Sequence, residues 1–315
     1  MSEDASEDQV PQPFFHLPVL PEQVVEGLQI KPGGRYLDAT VGGAGHSLLI
    51  LQAAPDVQLV ALDQDLQALA AAKERLSEFE SQVTFEHTNF ARFAPKNLQF
   101  DGILADIGVS STQLDQAQRG FSFRQEAPLD MRMDSTQALT AEEIVNHWDE
   151  KTIADTIYEY GEERLSRRIA RKIIERRPFH TTTDLAYAIA GAFPPKARHG
   201  RIHPATRSFQ ALRIAVNSEL TVLKEFLAQA PNWLAPEGRL AVISFHSLED
   251  RIVKYAYRED ERLQIITKKP LVATPEEVRE NKRSRSAKLR VAERAVAGQD
   301  SKRKTREKYA HKKDA

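Results

Sequence analysis

Cysteine is absent from the 315 residues, which removes disulfides, thiolate catalysis, Cys-ligated zinc and Cys-ligated iron–sulfur clusters together. Long apolar runs are missing too: no stretch approaches the roughly 20 uninterrupted apolar residues of a membrane-spanning helix. The first ten residues are acidic and polar, the reverse of a secretory signal, so a cytoplasmic protein without a membrane partner is expected. There is no Gly-x-Ser-x-Gly elbow for a serine hydrolase and no Gly-Lys-Ser/Thr for a triphosphate loop. His199 and His203 stand four apart, but Gly200 and Pro204 spoil the helix that zinc spacing needs, so no metal site is expected. What remains is an ordinary globular composition, 41% hydrophobic and 28% charged. Its length suits one main domain of roughly 200 residues with an appendage.

Charge is unevenly spread. Residues 281–315 hold thirteen Lys or Arg against four Asp or Glu, a balance of +9, leaving −10 on the rest of a chain whose total is −1. Such a basic end suits a polyanion, because multivalent cation contacts release condensed counterions; a merely solvated tail is the alternative.

From Gly34 to about Phe123, short apolar runs alternate with helical spacing: strands are expected at 35–40, 57–62, 83–86 and 102–107, and helices at 47–54 and 66–79. Near-continuously apolar strands in that rhythm argue a parallel sheet covered on both faces. The rhythm breaks after Phe123. Helical pattern with a capping box at Thr140–Glu143 and proline stops at Pro178 and Pro194 marks an all-helical insertion over 135–203. A long amphipathic helix with an internal break is expected over 204–230. A fifth buried strand then starts at Gly238, and two antiparallel strands near 265–270 and 288–292 close the sheet. The division is therefore a disordered acidic leader (1–13), an α/β domain from 14–134 and 204–294, the helical insertion, and a basic disordered tail (295–315).

Three polar constellations fall at strand ends. Leu37-Asp-Ala-Thr-Val-Gly-Gly-Ala-Gly-His46 runs from a strand through a glycine turn into a helix, whose N-terminus offers unpaired N–H donors to an anion. Asp63 closes the second strand 18 residues after Gly45, where doubly wound folds place an acid for ribose hydroxyls. The third glycine of a dinucleotide fingerprint is replaced by Leu48, and Asp38 suits an ammonium group, which turns the reading from a dinucleotide to S-adenosylmethionine. Phe90 after the third strand is an adenine wall or a core aromatic; position alone favours the core. Asp106, Ser110, Ser111 and Gln113 follow the fourth strand, where Asp106 either neighbours a sulfonium or caps a turn. Ser244, His246, Glu249, Asp250 and Arg251 follow the fifth, denser in polar groups than a turn requires.

Several longer strings carry a resemblance: Asp101-Gly-Ile-Leu-Ala-Asp-Ile-Gly-Val-Ser-Ser111, Pro128-Leu-Asp-Met-Arg-Met-Asp134, His203-Pro-Ala-Thr-Arg207, the stretch from Ser208 to Leu220, and Ser244-Phe-His-Ser-Leu-Glu-Asp-Arg251. Together they resemble the RsmH (MraW) family, bacterial methyltransferases acting on the N4 amine of a decoding-site cytosine in 16S ribosomal RNA, from about His16 to Arg294. The resemblance implies a Rossmann-like class I S-adenosylmethionine-dependent methyltransferase sheet. It implies cofactor contacts at Ala44, Gly45, His46, Asp63, Phe90, Asp106 and Gln113, reversing the core reading of Phe90. Ala44 stands where relatives often carry glycine, which is tolerable if its φ is negative. The family lacks the Asp/Asn-Pro-Pro-aromatic string of DNA amino methyltransferases, so its proton acceptor does not follow from theirs. Asp106 with Ser110 or Ser111 is the expected set of amine acceptors, joined by Asp130 and His246. Expected partners are 16S rRNA and the small ribosomal subunit, with Arg164, Arg167, Arg168, Arg171, Lys172, Arg176, Arg177, Lys196, Arg198, Arg201 and Arg207 offered to RNA phosphates or else paired with nearby glutamates. Two rivals make different predictions: an NAD-linked oxidoreductase binds nicotinamide and not the sulfonium donor, and a binding-only ribosome-assembly factor holds RNA without transferring methyl.

Overall fold

The computed structural model describes residues 17–296 apart from His199 and Arg201, and omits the side chains of Ser111 and Thr112. The expected leader, and all but two residues of the expected tail, lie outside the described residues.

Strands β1 (Arg35–Asp38), β2 (Gln58–Asp63), β3 (Val83–His87), β4 (Phe100–Asp106), β5 (Leu234–Ser244), β6 (Leu263–Ile265) and β7 (Lys288–Arg294) form one sheet in the order β3-β2-β1-β4-β5-β7-β6. β1 to β5 are parallel, whereas β7 runs antiparallel to both of its neighbours. This is the Rossmann-like sheet expected, because β1, β2, β4 and β5 are apolar enough to be buried on both faces. The chain leaves β1 in one direction and returns to β4 on its other side, which opens a crevice at their carboxyl ends.

Helices α1 (Pro21–Leu28), α2 (Gly45–Ala53) and α3 (Leu66–Arg75) are next in sequence, and their Val24, Leu28, Ile50, Leu51, Leu69 and Ala72 share a core with one face of the sheet. The other face buries Leu223, Phe226, Leu227, Val253 and Tyr257. Between β4 and β5 come α4 (Ser111–Asp115), α5 (Ala141–His147), α6 (Glu150–Gly161), α7 (Ser166–Arg176), α8 (Thr182–Gly191), α9 (Thr206–Asn217) and α10 (Glu219–Trp233); α11 (Ser247–Glu259) and α12 (Pro275–Glu280) follow β5. The sheet's second covering is thus α10 and α11.

α5 to α9 bury a separate apolar cluster, including Ile144, Ile153, Ile157, Ile169, Ile173, Leu185, Ile189, Phe209 and Leu212. Gly161 lets α6 and α9 meet closely, since a Cβ there would sit 2.6 Å from the Arg207 carbonyl oxygen. The break expected inside 204–230 falls at Ser218, whose left-handed φ of 50° separates α9 from α10. Among the described residues, no helix is long and apolar enough to cross a membrane.

Candidate active site at the carboxyl edge of the sheet

A cavity of about 1330 Å³ opens where β1 and β4 diverge, and it draws the three sequence constellations together. Its walls include Asp38, Gly42, Gly43, Gly45, His46, Asp63, Phe90, Asp106, Ser110, Gln113 and Glu249.

The β1–α2 turn forms one wall of this cavity. Gly42 adopts a left-handed φ of 48°, which turns its amide onto Asp63 Oδ2 at 2.9 Å. Asp63 Oδ1 accepts the Asp65 amide at 2.9 Å, so the carboxylate is fixed at the end of β2 with a lone pair left on each oxygen. Asp38 is buried and accepts the Ser47 hydroxyl at 2.6 Å and the Thr40 amide at 3.1 Å. Ala44 precedes α2 and supplies no side-chain cap, which leaves the helix's first N–H groups to a ligand.

Ala44 corrects one expectation. Its φ is +58°, not negative, so an alanine occupies a left-handed position. Its side chain is fully buried and is not among the groups lining the cavity.

His46, on the first turn of α2, is buried with no hydrogen bond at either ring nitrogen, and its Nε2 lies 3.7 Å from Asp106 Oδ2. Burial pushes its pKa down to about 4, so it faces the cavity as a neutral ring. Asp106 ends β4; its amide donates to Thr40 Oγ1 at 2.7 Å, while its Oδ1 has no partner. Burial, reinforced by the carboxylates of Asp38 and Glu249, pushes Asp106 up to about 8. Burial likewise pushes Asp38 and Asp63 up to about 6.

Phe90 forms part of the wall and is braced edge-on by Phe226, ring centroids 5.0 Å apart. Gln113 is buried and acts through others: its Oε1 accepts the Ser110 amide at 3.1 Å and its Nε2 donates to Asp65 at 2.9 Å. Arg119 reaches the same Asp65 carboxylate at 2.7 Å and also donates to the carbonyls of Arg132 and Met133, which brings Met133 to the cavity.

Two expected participants stand apart. Asp130 is not a lining residue: it grips Arg132 Nε at 2.8 Å and Nη2 at 2.7 Å. Burial alone would raise its carboxyl, but the Arg132 hydrogen bonds and charge hold it below the usual carboxylate range. His246 is likewise not on the lining; its Nδ1 accepts the Glu249 amide at 3.4 Å while Glu249 Oε2 accepts the amides of Phe245 and His246, a reciprocal cap on α11. The two short-range locks explain both outcomes.

Glu249 and Glu219 bring side chains that sequence reasoning missed as a pair. Ligand atoms of Glu219, His246 and Glu249 lie within 4.8 Å of one another. A cation fits poorly there, because Arg213 clamps Glu219 with two 2.8 Å bonds. His246 Nε2 lies 3.1 Å from Glu249 Oε1 without a hydrogen bond of its own. Asn217, also on the wall, fixes the Met131–Met133 segment by accepting from the Met133 amide at 2.7 Å and donating to the Met131 carbonyl at 2.8 Å. The available signal for both was Asn217-Ser-Glu219, a polar break in an otherwise amphipathic helix.

The basic helices divide into paired and open cations. Arg177 donates to the Val145 and Trp148 carbonyls, Lys172 meets Glu175 at 3.0 Å, Arg207 meets Glu163 at 3.6 Å, and Arg171 meets Glu150 at 3.7 Å. Arg176 lies over the Tyr187 ring at 5.4 Å. Arg164, Arg167 and Arg168 are exposed and form no ion pair among the described residues.

Comparison with known proteins gives a concordant result. A family model described as the MraW methylase family matches residues 13–295. The chain is 61% identical over 281 residues to a ribosomal RNA small subunit methyltransferase H of Nostoc sp., an alignment covering 89% of this chain and 93% of that protein. It is 60% identical over 286 residues to the protein of the same name from Synechococcus elongatus, covering 91% and 97%. Among solved structures, a putative rRNA-methylase from Clostridium thermocellum is a distant likeness, with 9% identity, coverage of 89% and 100%, and a TM-score of 0.44.

Proposed function

The chain belongs to the MraW methylase family, and from that premise we propose that it methylates the N4 amine of a decoding-region cytosine in 16S ribosomal RNA. Its methyl donor is S-adenosylmethionine, which when bound supplies an electrophilic methyl on a sulfonium. The observation that carries the reading is the meeting, in one cleft, of Asp63, an uncapped α2 N-terminus beside unpartnered His46, and Asp106 with a free oxygen.

These residues fit the donor in kind. Asp63 retains acceptor capacity for ribose hydroxyls, the first turn of α2 and Gly45 offer N–H groups to a carboxylate, and Phe90 gives adenine an apolar wall. Gln113 serves that site by holding Asp65 and the Ser110 loop. Cytosine's exocyclic amine is a weak nucleophile, because its lone pair is delocalised into the ring. The chain's task is to aim that nitrogen, hold its N–H groups on acceptors, and take a proton.

Asp106 and Ser110 line the cavity for this purpose, with Ser111 beside them in sequence, and the raised Asp106 carboxyl is drawn toward its ionised, proton-accepting form by the bound donor's positive charge. Asp130 and His246 contribute by holding the Arg132 loop and the α11 cap. Alignment reaches effective molarities of roughly 10⁵ M or more, and a positioned base typically adds on the order of 10²–10⁴-fold. The target base must leave its stack to enter, which suits an open RNA segment. The helical unit at 135–203 is its docking face through Arg164, Arg167 and Arg168.

The direct test incubates the protein with methyl-labelled donor and small ribosomal subunits lacking the modification, then maps the label. Label at a decoding-region cytosine N4 is expected; label elsewhere, or none, defeats the reading. Asp106→Asn should keep donor affinity and lose at least about 10²-fold in kcat.

A further inference from the structure

α11 begins at the cleft and runs away from it beside α10, and between the two helices lies a groove of about 500 Å³. Its floor is apolar, made by Leu227, Ile252 and Ala256. Its rim is cationic and aromatic: Lys224 from α10, Arg251 and Tyr255 from α11. Tyr255 is 40% exposed, large for an aromatic ring, and is flanked by the Arg258 guanidinium at 4.7 Å and the Lys254 ammonium at 5.8 Å from its centroid.

The two acids that line the groove each have a cationic neighbour. Asp260 is bound by Arg262 at 2.5 Å, and Glu259 lies 3.7 Å from Arg258. Lys224 and Lys254 are exposed and form no ion pair among the described residues, which leaves two cations at this groove and its Tyr255 edge without an acidic partner. A stacking ring beside cations over a shallow apolar floor matches the way sequence-tolerant sites hold single strands: bases on aromatic faces, phosphates on lysines. A peptide without acidic residues would leave both lysines without counterparts.

Location supplies the second argument. Ser247, Arg251 and Tyr255 succeed one another at helical spacing down one flank of α11, so Tyr255 is about 12 Å along the helix from the cleft. The start of that path is fixed to the helical unit, since Glu162 accepts the Ser247 hydroxyl at 2.5 Å and lies 3.4 Å from Arg251. We propose that the α10–α11 groove binds the single-stranded RNA flanking the target nucleotide, with a base stacked on Tyr255 and phosphates on Lys224 and Lys254. This rests on the rRNA reading given above and adds a second subsite to it.

The test measures anisotropy of a short labelled single-stranded RNA of decoding-region sequence at several salt concentrations, with donor binding followed separately by calorimetry. Tyr255→Ala should weaken RNA binding roughly 5- to 150-fold, the usual range for one stacked base, and leave donor affinity unchanged. Tyr255→Phe should bind as the parent does, because stacking needs the ring and not the hydroxyl. Lys224→Ala with Lys254→Ala should weaken binding and lower the salt slope by about 1 to 2. RNA affinity within twofold of the parent for both Tyr255→Ala and the lysine pair overturns the groove. Should Tyr255→Ala fail to fold, the lysine pair decides alone. A parent protein that binds donor but no RNA overturns the substrate reading itself, and the groove with it.

Discussion

Ala44, behind the cleft wall, and Asp106, on it, show how single positions set stability here. A left-handed alanine costs about 1–2 kcal/mol, yet its methyl is buried, contributing about 0.8 kcal/mol, and glycine there would add roughly 0.5–1 kcal/mol of chain entropy to lose. These offset one another, so Ala44→Gly should change stability by less than about 1 kcal/mol. Ala105→Gly, at an equally buried position inside β4, has no strain to relieve and should lose about 1–2 kcal/mol. Urea melts of the two variants decide it; equal losses would mean that position 44 is not strained. Asp106 makes the opposite kind of contribution. Raised to about 8 in the fold, it keeps its proton where an unfolded aspartic acid has lost its own, so its stabilising term is full below about pH 4 and is lost as pH rises to 8. Neutral His46, lowered to about 4, works in the other direction between pH 4 and its ordinary value near 6.5. The clean window is therefore pH 6.5 to 8, where the donor-free protein should lose about 2 kcal/mol. Asp106→Asn should flatten that slope, as read by urea melts at stepped pH; an unchanged slope would assign the titration to another group.

At the scale of elements, what the sequence revealed was what local physics controls. Apolar runs placed β1, β2, β4 and β5 within a few residues, because a strand buried on both faces has no polar alternation to blur it. Asp63 and Asp106 were legible as residues of the cleft wall because each ends such a strand on the carboxyl edge. Helix α6 was harder: it begins at Glu150, capped by Asp149, five residues before the charged periodicity becomes plain at Asp155. The wall residues Met133, Asn217 and Glu219 were not legible as lining, since each is delivered by tertiary contacts, with Arg119 and Asn217 bridging segments more than ten residues apart. Asp130 and His246 stand off the cavity lining for the converse reason. Their side chains close local loops, to Arg132 and to the α11 N-terminus, and sequence strings do not distinguish a group that locks a loop from one that faces the substrate.

For the whole molecule, the direction of the strands separates two kinds of contact with RNA. β1 to β5 point their carboxyl ends at the cleft, and β7 runs back against β5, with Lys288 opposite Ser244 at the cleft edge and Glu293 opposite Arg239 towards the far edge. The chain beyond Val296 therefore starts from the side of the sheet remote from the chemistry. Those last nineteen residues carry seven Lys or Arg against three Asp or Glu. Cations attached there start far from the target amine, so the chain's charge asymmetry is expected to influence affinity more than turnover. Removing residues 297–315 should reduce the slope of log K against log salt by up to about 5, at roughly 0.7 per single-strand phosphate neutralised by each of the seven cations. At saturating subunit and donor, kcat should stay within about twofold, because the cleft loses no group. Titrations of small ribosomal subunits across a salt series, run beside single-turnover methylation, separate the two quantities. An unchanged salt slope would make the tail a solvated appendage. A kcat that falls with the slope would place tail contacts at the cleft, against the strand polarity that sends the chain to the opposite edge.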